Sequence, residues 1–271
     1  MQLGVVIRNM GPASTRDLVT AAARAADACP AVSDVWVVDH IAIPPDDAEG
    51  SGGRYLDPLA TLAFLAGVTT RVHLGTAVLV LPYRPPLLTA KWIATIQELA
   101  GERLLLGVGV GWMAAEFRAL GIDLRRRGRA TDETLDLLDR CFANDIVEEN
   151  GQPFLFKPRP ARPPLFIGGQ PPHAFRRAIT HRAGWLPMLP TGIDPDALRE
   201  PIAELRAQAV AAGVPPPEVA VMTSLPLGDP ARARDAIAAH RDAGATRLIH
   251  GERYADFDAF RRMLDALAVV A

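Results

Sequence analysis

The chain has 271 residues, with 29 Lys and Arg against 31 Asp and Glu, and a formal net charge of -2. This length suits one large domain, and a (β/α)8 barrel typically takes about 250 residues. The nearly balanced charge excludes a general nucleic-acid binder, which would carry a basic excess. A chain of this size can fold around a core without disulfide or metal staples.

The cysteine content and the N-terminus predict a cytoplasmic protein. Cys29 and Cys141 are the two cysteines, which is typical of a reducing compartment and of small buried apolar side chains. The chain enters an apolar strand at once and shows no charged segment with a cleavage site, so no signal peptide is expected. No apolar run approaches the ~20 residues that span a bilayer. We therefore expect a soluble protein.

Short apolar runs alternate with helical patterns along the whole chain. Strands are predicted at 3–7, 35–38, 73–78, 104–108, 165–167, 184–187, 219–222 and 246–249. Helices are predicted to begin after Ser14-Thr15, at Asp57-Pro58, at 87, at Glu116, at Thr131-Asp132-Glu133, at 174, at Pro201, at Asp229-Pro230 and at Phe257. A run of arginines at 125–129 is expected to form a basic loop before the fifth of these helices.

Eight strands that alternate with helices favour a closed barrel over an open doubly wound sheet. The fold class is therefore α/β, a (β/α)8 TIM barrel built as a single domain over residues 1–271. Glu148 to Gly151 lie between two short apolar runs. They predict a small hairpin excursion between the fourth and fifth strands of the barrel.

Asp39 and His40 end the second predicted strand, on the face where barrel active sites form. Histidine can give or take a proton near neutral pH. Successive side chains point to opposite sides of an extended chain, so the two need not pair directly. The alternative is a strand-end pair that only caps the amides of a loop.

Glycines mark two other strand ends. The stretch from Gly107 to Ala114 contains a G-x-G-x-x-A match, but no second strand with a terminal acidic residue follows about 20 residues on, as the ribose contact would require, and no Gly-Lys-Ser/Thr occurs. We expect these glycines to keep side chains off the barrel mouth, so that a flat ring can lie against backbone. Gly168-Gly169 suits a phosphate, or else forms an ordinary turn.

Other chemistries find no support. The six histidines show no metal-ligand spacing, and no G-x-S-x-G or paired catalytic cysteine occurs. The basic run at 125–129 either holds an anionic tail or is simply solvated.

Several of these motifs, in this order, resemble the luciferase-like monooxygenase superfamily and, within it, the oxidoreductases that use the deazaflavin coenzyme F420. The resemblance extends from about Val35 to Pro187. It rests on the stretches 74–84, 90–91, 106–112, 116–117, 120–121, 127–128, 131–133, 166–169 and 184–185. Relatives that use flavin mononucleotide (FMN) share much of this pattern.

The resemblance implies a cofactor across the carboxyl ends of the strands, a small-molecule substrate and a homodimer. By resemblance, Asp39 contacts the deazaflavin ring or its ribityl chain, and His40 is the catalytic acid or base. Ala77-Val78 matches a bulge that often holds a non-prolyl cis peptide. The remaining cofactor-binding positions carried over are Val110, Gly111 and Ala115 after the fourth strand, and Gly168, Gly169 and Arg127 at the phosphate.

Two positions depart from sugar-phosphate dehydrogenases of the family. Trp112 stands where they carry Glu, and Ala115 where they carry Asn, so their acid-base assignment and substrate do not transfer. The hypothesis is hydride transfer between F420 and a small organic substrate. Two alternatives are open, an FMN-dependent monooxygenase or reductase and a barrel that binds a cofactor without catalysis.

Overall fold

The computed structural model describes all residues, 1–271, as eleven strands and nine α-helices. The strands are β1 (Gln2–Val6), β2 (Asp34–Val37), β3 (His73–Thr76), β4 (Leu79–Val80), β5 (Leu104–Gly109), β6 (Ile146–Glu149), β7 (Gln152–Leu155), β8 (Leu165–Gly168), β9 (Gly184–Leu186), β10 (Ala220–Thr223) and β11 (Arg247–His250). The helices are α1 (Arg16–Ala28), α2 (Pro58–Val68), α3 (Pro86–Leu99), α4 (Ala114–Ala119), α5 (Arg127–Ala143), α6 (His173–Thr180), α7 (Arg199–Ala211), α8 (Pro230–Ala243) and α9 (Phe257–Val270).

Eight parallel strands form the predicted (β/α)8 barrel. Their order is β10-β11-β1-β2-β3-β5-β8-β9, and all pair in parallel. Single bridges from Trp185 to Val219 and from Met188 to Met222 join the two ends of this path and close the ring. The predicted hairpin is also confirmed, because β6 and β7 pair antiparallel between β5 and β8. None of the helices is long and apolar enough to cross a membrane.

Two apolar layers hold the barrel together. The larger one lies between the strands and the surrounding helices, and the smaller one fills the barrel interior with Val6, Trp36, Leu105, Phe166, Leu186, Ala220 and Ile249. Successive side chains of a strand point to opposite faces, so alternate residues pack in the outer layer and in the barrel interior.

The amino end of the barrel is closed by a buried ion pair. Arg247 in β11 donates to the fully buried carboxylate of Asp34 in β2, which also accepts from the indole of Trp36. The pair passes over β1 at Gly4, where a Cβ atom would collide with Asp34. The second and the last strand are thereby connected across β1 inside the barrel.

Several predicted helix starts are confirmed by their caps. The side chains of Asp57 and Asp229 accept hydrogen bonds from the first-turn amides of α2 and α8, each followed by proline. In α1 the capping side chain is that of Thr15.

Three predicted helix starts were wrong. α4 begins at Ala114, two residues before the predicted Glu116. α5 begins at Arg127, and the residues 125–129 are helical instead of forming a loop, because Asp123 caps a 3-10 turn, Leu124–Arg126, that continues directly into α5. α7 begins at Arg199, and Pro201 lies in its first turn, where the missing N–H breaks no bond.

Candidate active site

His40 and Glu116 form a hydrogen-bonded pair at the carboxyl ends of the strands. His40 follows β2 and Glu116 lies in α4, and Nδ1 of His40 is 2.9 Å from Oε2 of Glu116. The Glu116 side chain is fully buried, whereas that of His40 keeps 20% of its surface exposed. The imidazole is therefore anchored at one nitrogen and open on the other side.

Glu116 accepts from four donors. Besides His40 these are the backbone amides of Ile41 and Ala42 and the hydroxyl of Tyr83, at 2.9 Å from Oε2. Burial alone would raise the pKa of Glu116, but the two amides, His40 and Tyr83 together lower it below its usual value. The carboxylate is therefore ionised at neutral pH and can only accept.

This ionised acceptor determines the tautomer of His40. An acceptor-only oxygen requires the hydrogen on Nδ1, so Nε2 of a neutral His40 carries a lone pair that can accept a proton. Burial, together with the neighbouring Glu116, raises the pKa of Tyr83, which keeps its hydroxyl protonated as a donor. The group has the arrangement of a general acid–base held by a carboxylate.

Two aromatic rings flank His40. The Tyr55 ring lies 5.0 Å away, centroid to centroid, and the Trp112 ring lies 6.1 Å away and nearly perpendicular. Trp112 is 72% exposed. At the position that differs from the sugar-phosphate enzymes, the indole ring of Trp112 thus stands beside His40 in place of their carboxylate.

Asp39 lies in a separate buried network. Its two oxygens accept from the Arg84 guanidinium at 2.6 and 2.9 Å, and Oδ2 also accepts from the Val80 amide. Arg84 bonds Asp57 as well, at 2.7 Å, and these two ion pairs raise the pKa of Arg84 against the lowering effect of burial. The Asp39 side chain has no exposed surface. Through its bonds to Arg84 and to the Val80 amide, it fixes the segment after β3.

The peptide bond between Ala77 and Val78 is cis, at the position where the resemblance implied it. Val78 packs against two glycines of neighbouring strands. A Cβ on Gly109 would lie 2.6 Å from Cγ2 of Val78, and one on Gly168 would lie 2.9 Å from its Cγ1.

The role expected for the glycines therefore needs a correction. Bare backbone at these strand ends does not stand open, because the space that side chains would take at Gly109 and Gly168 is filled by Val78. At Gly107, likewise, the space that a side chain would take is occupied by the carbonyl oxygen of Thr76. The surface offered to a ring is therefore formed by the bulge at 77–78 and not by the glycines alone.

A cavity of about 900 Å³ lies between the ends of β5 and β8 and the first turns of α5 and α6. It brings together four of the residues expected to bind the cofactor, Val110, Arg127, Gly168 and Gly169. Gly111 and Ala115 are not among its lining residues, and a Cβ on Gly111 would meet Val80 and Phe117.

The cavity is strongly cationic. Its lining contains five arginines and one aspartate, namely Arg125, Arg127, Arg129, Arg176, Arg177 and Asp132. Asp132 is paired with Arg176 and Arg177, at 2.8 and 2.6 Å. Arg125 and Arg129 form exposed ion pairs with Asp123 and Glu133, at 3.2 and 2.7 Å, whereas Arg127 forms none. This excess of positive charge points to a site for a negatively charged ligand.

The sequence alone did not reveal Glu116, Tyr83 or Arg84 as site residues. Glu116 is separated by 76 positions from His40 along the chain, and Arg84 by 45 from Asp39. The sequence did contain one signal, namely charged or hydroxyl side chains within otherwise apolar stretches. Such a side chain needs a hydrogen-bond partner when it is buried.

Comparison with known proteins identifies the family. The luciferase-like monooxygenase family matches residues 1–269. An uncharacterized protein of Mycobacterium tuberculosis is 31% identical over 209 residues, which cover 70% of this chain and 71% of the relative.

Two solved structures share the fold. One is an F420-dependent secondary alcohol dehydrogenase in complex with an F420-acetone adduct, with a TM-score of 0.78, 15% identity and coverage of 100% and 99% of the two chains. The other is the oxygenating constituent of 3,6-diketocamphane monooxygenase of Pseudomonas putida in complex with FMN, with a TM-score of 0.79, 14% identity and coverage of 100% and 96%.

Proposed function

The chain belongs to the luciferase-like monooxygenase family and is an oxidoreductase of that family, and on this premise we propose that it transfers a hydride between coenzyme F420 and a small organic substrate. The observation that carries the proposal is the cationic cavity beside Gly168 and Gly169. F420 carries carboxylates beyond its phosphate, whereas FMN ends at one phosphate. The cavity offers Arg127 without an ion-pair partner and, at its rim, Arg125 and Arg129, whose partners Asp123 and Glu133 are exposed, which is more positive charge than a single phosphate needs.

The residues that would hold the cofactor divide into two groups. Arg127, Gly168 and Gly169 would hold the phosphate, and Arg125 and Arg129 at the cavity rim would hold the carboxylates that follow it. The bulge at Ala77 and Val78, with Val110, Gly111 and Ala115, would support the ring. When bound, the deazaflavin supplies the two-electron hydride chemistry.

His40 would move the proton that accompanies the hydride. Nε2 faces away from Glu116, so it can give a proton to a carbonyl oxygen being reduced or take one from a hydroxyl being oxidised. Glu116 holds the ring in one tautomer and one orientation, and the rings of Tyr55 and Trp112 lie beside it. Asp39 would contribute by holding Arg84 and the segment after β3, in addition to the cofactor contact that the resemblance implies.

The FMN alternative rests on the fold shared with the FMN-bound monooxygenase of Pseudomonas putida. Titrations followed by absorbance and fluorescence separate the two cofactors. We expect F420 to bind at least about tenfold more tightly than either FMN or the F420 chromophore without its phosphate and glutamate tail. Tight FMN binding without F420 binding would reverse the proposal.

Turnover separates catalysis from mere cofactor binding. Reduced F420 is mixed with a panel of carbonyl and enone compounds, and its oxidation is followed in the absence of oxygen. Consumption of at least one compound supports the proposal, whereas binding of F420 with no consumption across the panel supports the non-catalytic alternative. We also propose that the protein is a homodimer located in the cytoplasm.

A further inference from the structure

Arg8 is a buried arginine without an ion-pair partner. It follows β1 and is 7% exposed, and its Nε atom is fully buried with no hydrogen-bond partner. The two comparable arginines are paired, Arg177 with Asp132 at 2.6 Å and Arg247 with Asp34. No carboxylate lies within 4.0 Å of the Arg8 guanidinium, since every ion pair of the chain involves other residues.

An unpaired guanidinium in this position is unfavourable for the fold alone. Removing a charged group from water without a counter-charge is costly, and buried polar atoms in native proteins nearly always have partners. A group that departs from this rule is a candidate for binding a ligand that supplies the missing charge.

The strand pattern places Arg8 at the barrel mouth. Val6 packs in the barrel interior and Ile7 in the outer layer, so the alternation turns Arg8 towards the barrel axis again. Val6 pairs with Trp36, and the amide of Ile7 donates to the carbonyl of Trp36. Continued by two residues, this register sets Arg8 beside Val38, two positions before His40 in the chain.

The surroundings of Arg8 contain a second cation. Nη2 of Arg8 is 3.4 Å from the Cβ position of Gly11, and that position is 2.9 Å from the carbonyl of Gly50. The Arg253 guanidinium lies 3.3 Å from the Cβ position of Gly50. Arg8 therefore lies against Gly11 and the exposed Arg253 against the adjoining Gly50, and no ion pair of the chain includes Arg253.

We propose that Arg8 is a specificity residue that binds the carboxylate of a small organic acid while the reacting carbon lies at His40. The redox identity of that molecule rests on the function proposed above, whereas the carboxylate preference rests on Arg8 itself. A guanidinium presents two parallel N–H groups that match the two oxygens of a carboxylate. The substrate class is then small carbonyl or hydroxy acids.

Isothermal titration calorimetry tests the preference with acetate, levulinate and benzoate, each paired with its neutral amide. The titrations use the wild-type chain, with and without saturating cofactor, and the variants Arg8→Met, Arg8→Lys and Arg261→Met. Arg261 is an exposed arginine of α9 and serves as the control for loss of one surface charge. Calorimetry measures carboxylate binding itself and does not require turnover. The result therefore tests the role of Arg8 even if the protein does not use F420.

We expect at least one carboxylate to bind wild type about tenfold more tightly than its amide. This preference disappears in Arg8→Met, is partly kept in Arg8→Lys and is unchanged in Arg261→Met. An equal affinity for acids and amides in wild type, or a preference that survives in Arg8→Met, overturns the proposal.

Thermal unfolding gives a second, independent readout. Arg8→Met removes an uncompensated charge, so we expect a Tm equal to that of wild type or about 2 to 4 °C higher. A saturating carboxylate should raise the Tm of wild type and not that of Arg8→Met. A clear fall in the Tm of Arg8→Met would show that the residue supports the fold, and would contradict a binding role.

Discussion

Glu116 holds His40 at Nδ1, with 2.9 Å between Oε2 and Nδ1, and leaves Nε2 without a hydrogen-bond partner in the chain. The carboxylate is itself held by two backbone amides and by Tyr83, so its position does not depend on His40. A rigid, ionised acceptor of this kind determines both the tautomer and the direction of the imidazole, which is what a proton-transfer group requires.

Replacement of the pair tests its role in turnover. We expect His40→Ala to lower kcat about 100-fold or more while cofactor affinity is kept. Glu116→Gln should lower kcat about 10- to 100-fold, by analogy with the partners that orient metal-bound histidines. The double variant should be little slower than His40→Ala alone, because the two residues act as a unit.

Nitrogen-15 NMR of the imidazole distinguishes this positioning role from a merely structural one. Wild type should show the hydrogen on Nδ1 of His40, and Glu116→Gln a mixture of tautomers. Unchanged turnover in His40→Ala would remove the catalytic role of the histidine.

Acid unfolding should depend on Glu116. Its pKa is lowered in the folded chain, so its carboxylate stabilises the fold fully above the unfolded value of about 4.5, and this contribution is lost as the pH falls through the folded value. We therefore expect Glu116→Gln to be less stable than wild type at pH 7, with a difference that shrinks towards pH 3.

The measurement is denaturant unfolding at several pH values, with Glu98→Gln as the matched control. Glu98 is exposed on α3 and forms no ion pair. A difference between wild type and Glu116→Gln that stays constant from pH 7 to pH 3 would contradict the assignment.

The cationic cavity predicts a charge-dependent affinity for the cofactor. Arg127→Ala should weaken F420 binding about 10- to 100-fold, as expected for one charge-assisted hydrogen bond. Added salt should weaken binding to wild type more than binding to this variant. Arg118→Ala, at an exposed arginine of α4 outside the cavity, is the control; equal losses in both variants would mean that only the overall charge matters.

The contact between Gly109 and Val78 predicts that a loss of stability caused at one residue can be reversed by a substitution at the other. Gly109→Ala sets a methyl group 2.6 Å from Cγ2 of Val78, so we expect overpacking that lowers the free energy of unfolding by about 1 to 3 kcal/mol. Adding Val78→Ala should restore most of that loss. Gly67→Ala is the control, since nothing lies within 4 Å of its Cβ position; a double variant no more stable than Gly109→Ala would refute the packing argument.

Local patterns were sufficient to predict the barrel. Parallel strands buried on both sides read as continuous apolar runs, and Asp57 and Asp229 mark helix starts with side chains that cap amides a few residues away. α5 was harder, because its start depends on Asp123, which caps a preceding turn and not the helix itself.

The site was only partly predictable. His40, Arg127, Gly168 and Gly169 stand at strand or helix ends, which the order of elements places on one face. The partners of His40 and Asp39 come from segments distant in the sequence. The spacing of apolar residues along the chain does not indicate which buried acidic and basic side chains will pair. The space above the glycines was misjudged for the same reason, since Val78 enters it from the neighbouring strand.

The ion pair between Asp34 and Arg247 connects β2 and β11 at the end of the barrel far from His40. The amino end of the barrel is therefore stabilised by a contact that the loops of the opposite end do not touch. Insertions or exchanges in those loops can change which molecules are accepted without weakening the scaffold. Directed evolution of new specificities should accordingly tolerate wide variation there, provided that these two charges are retained.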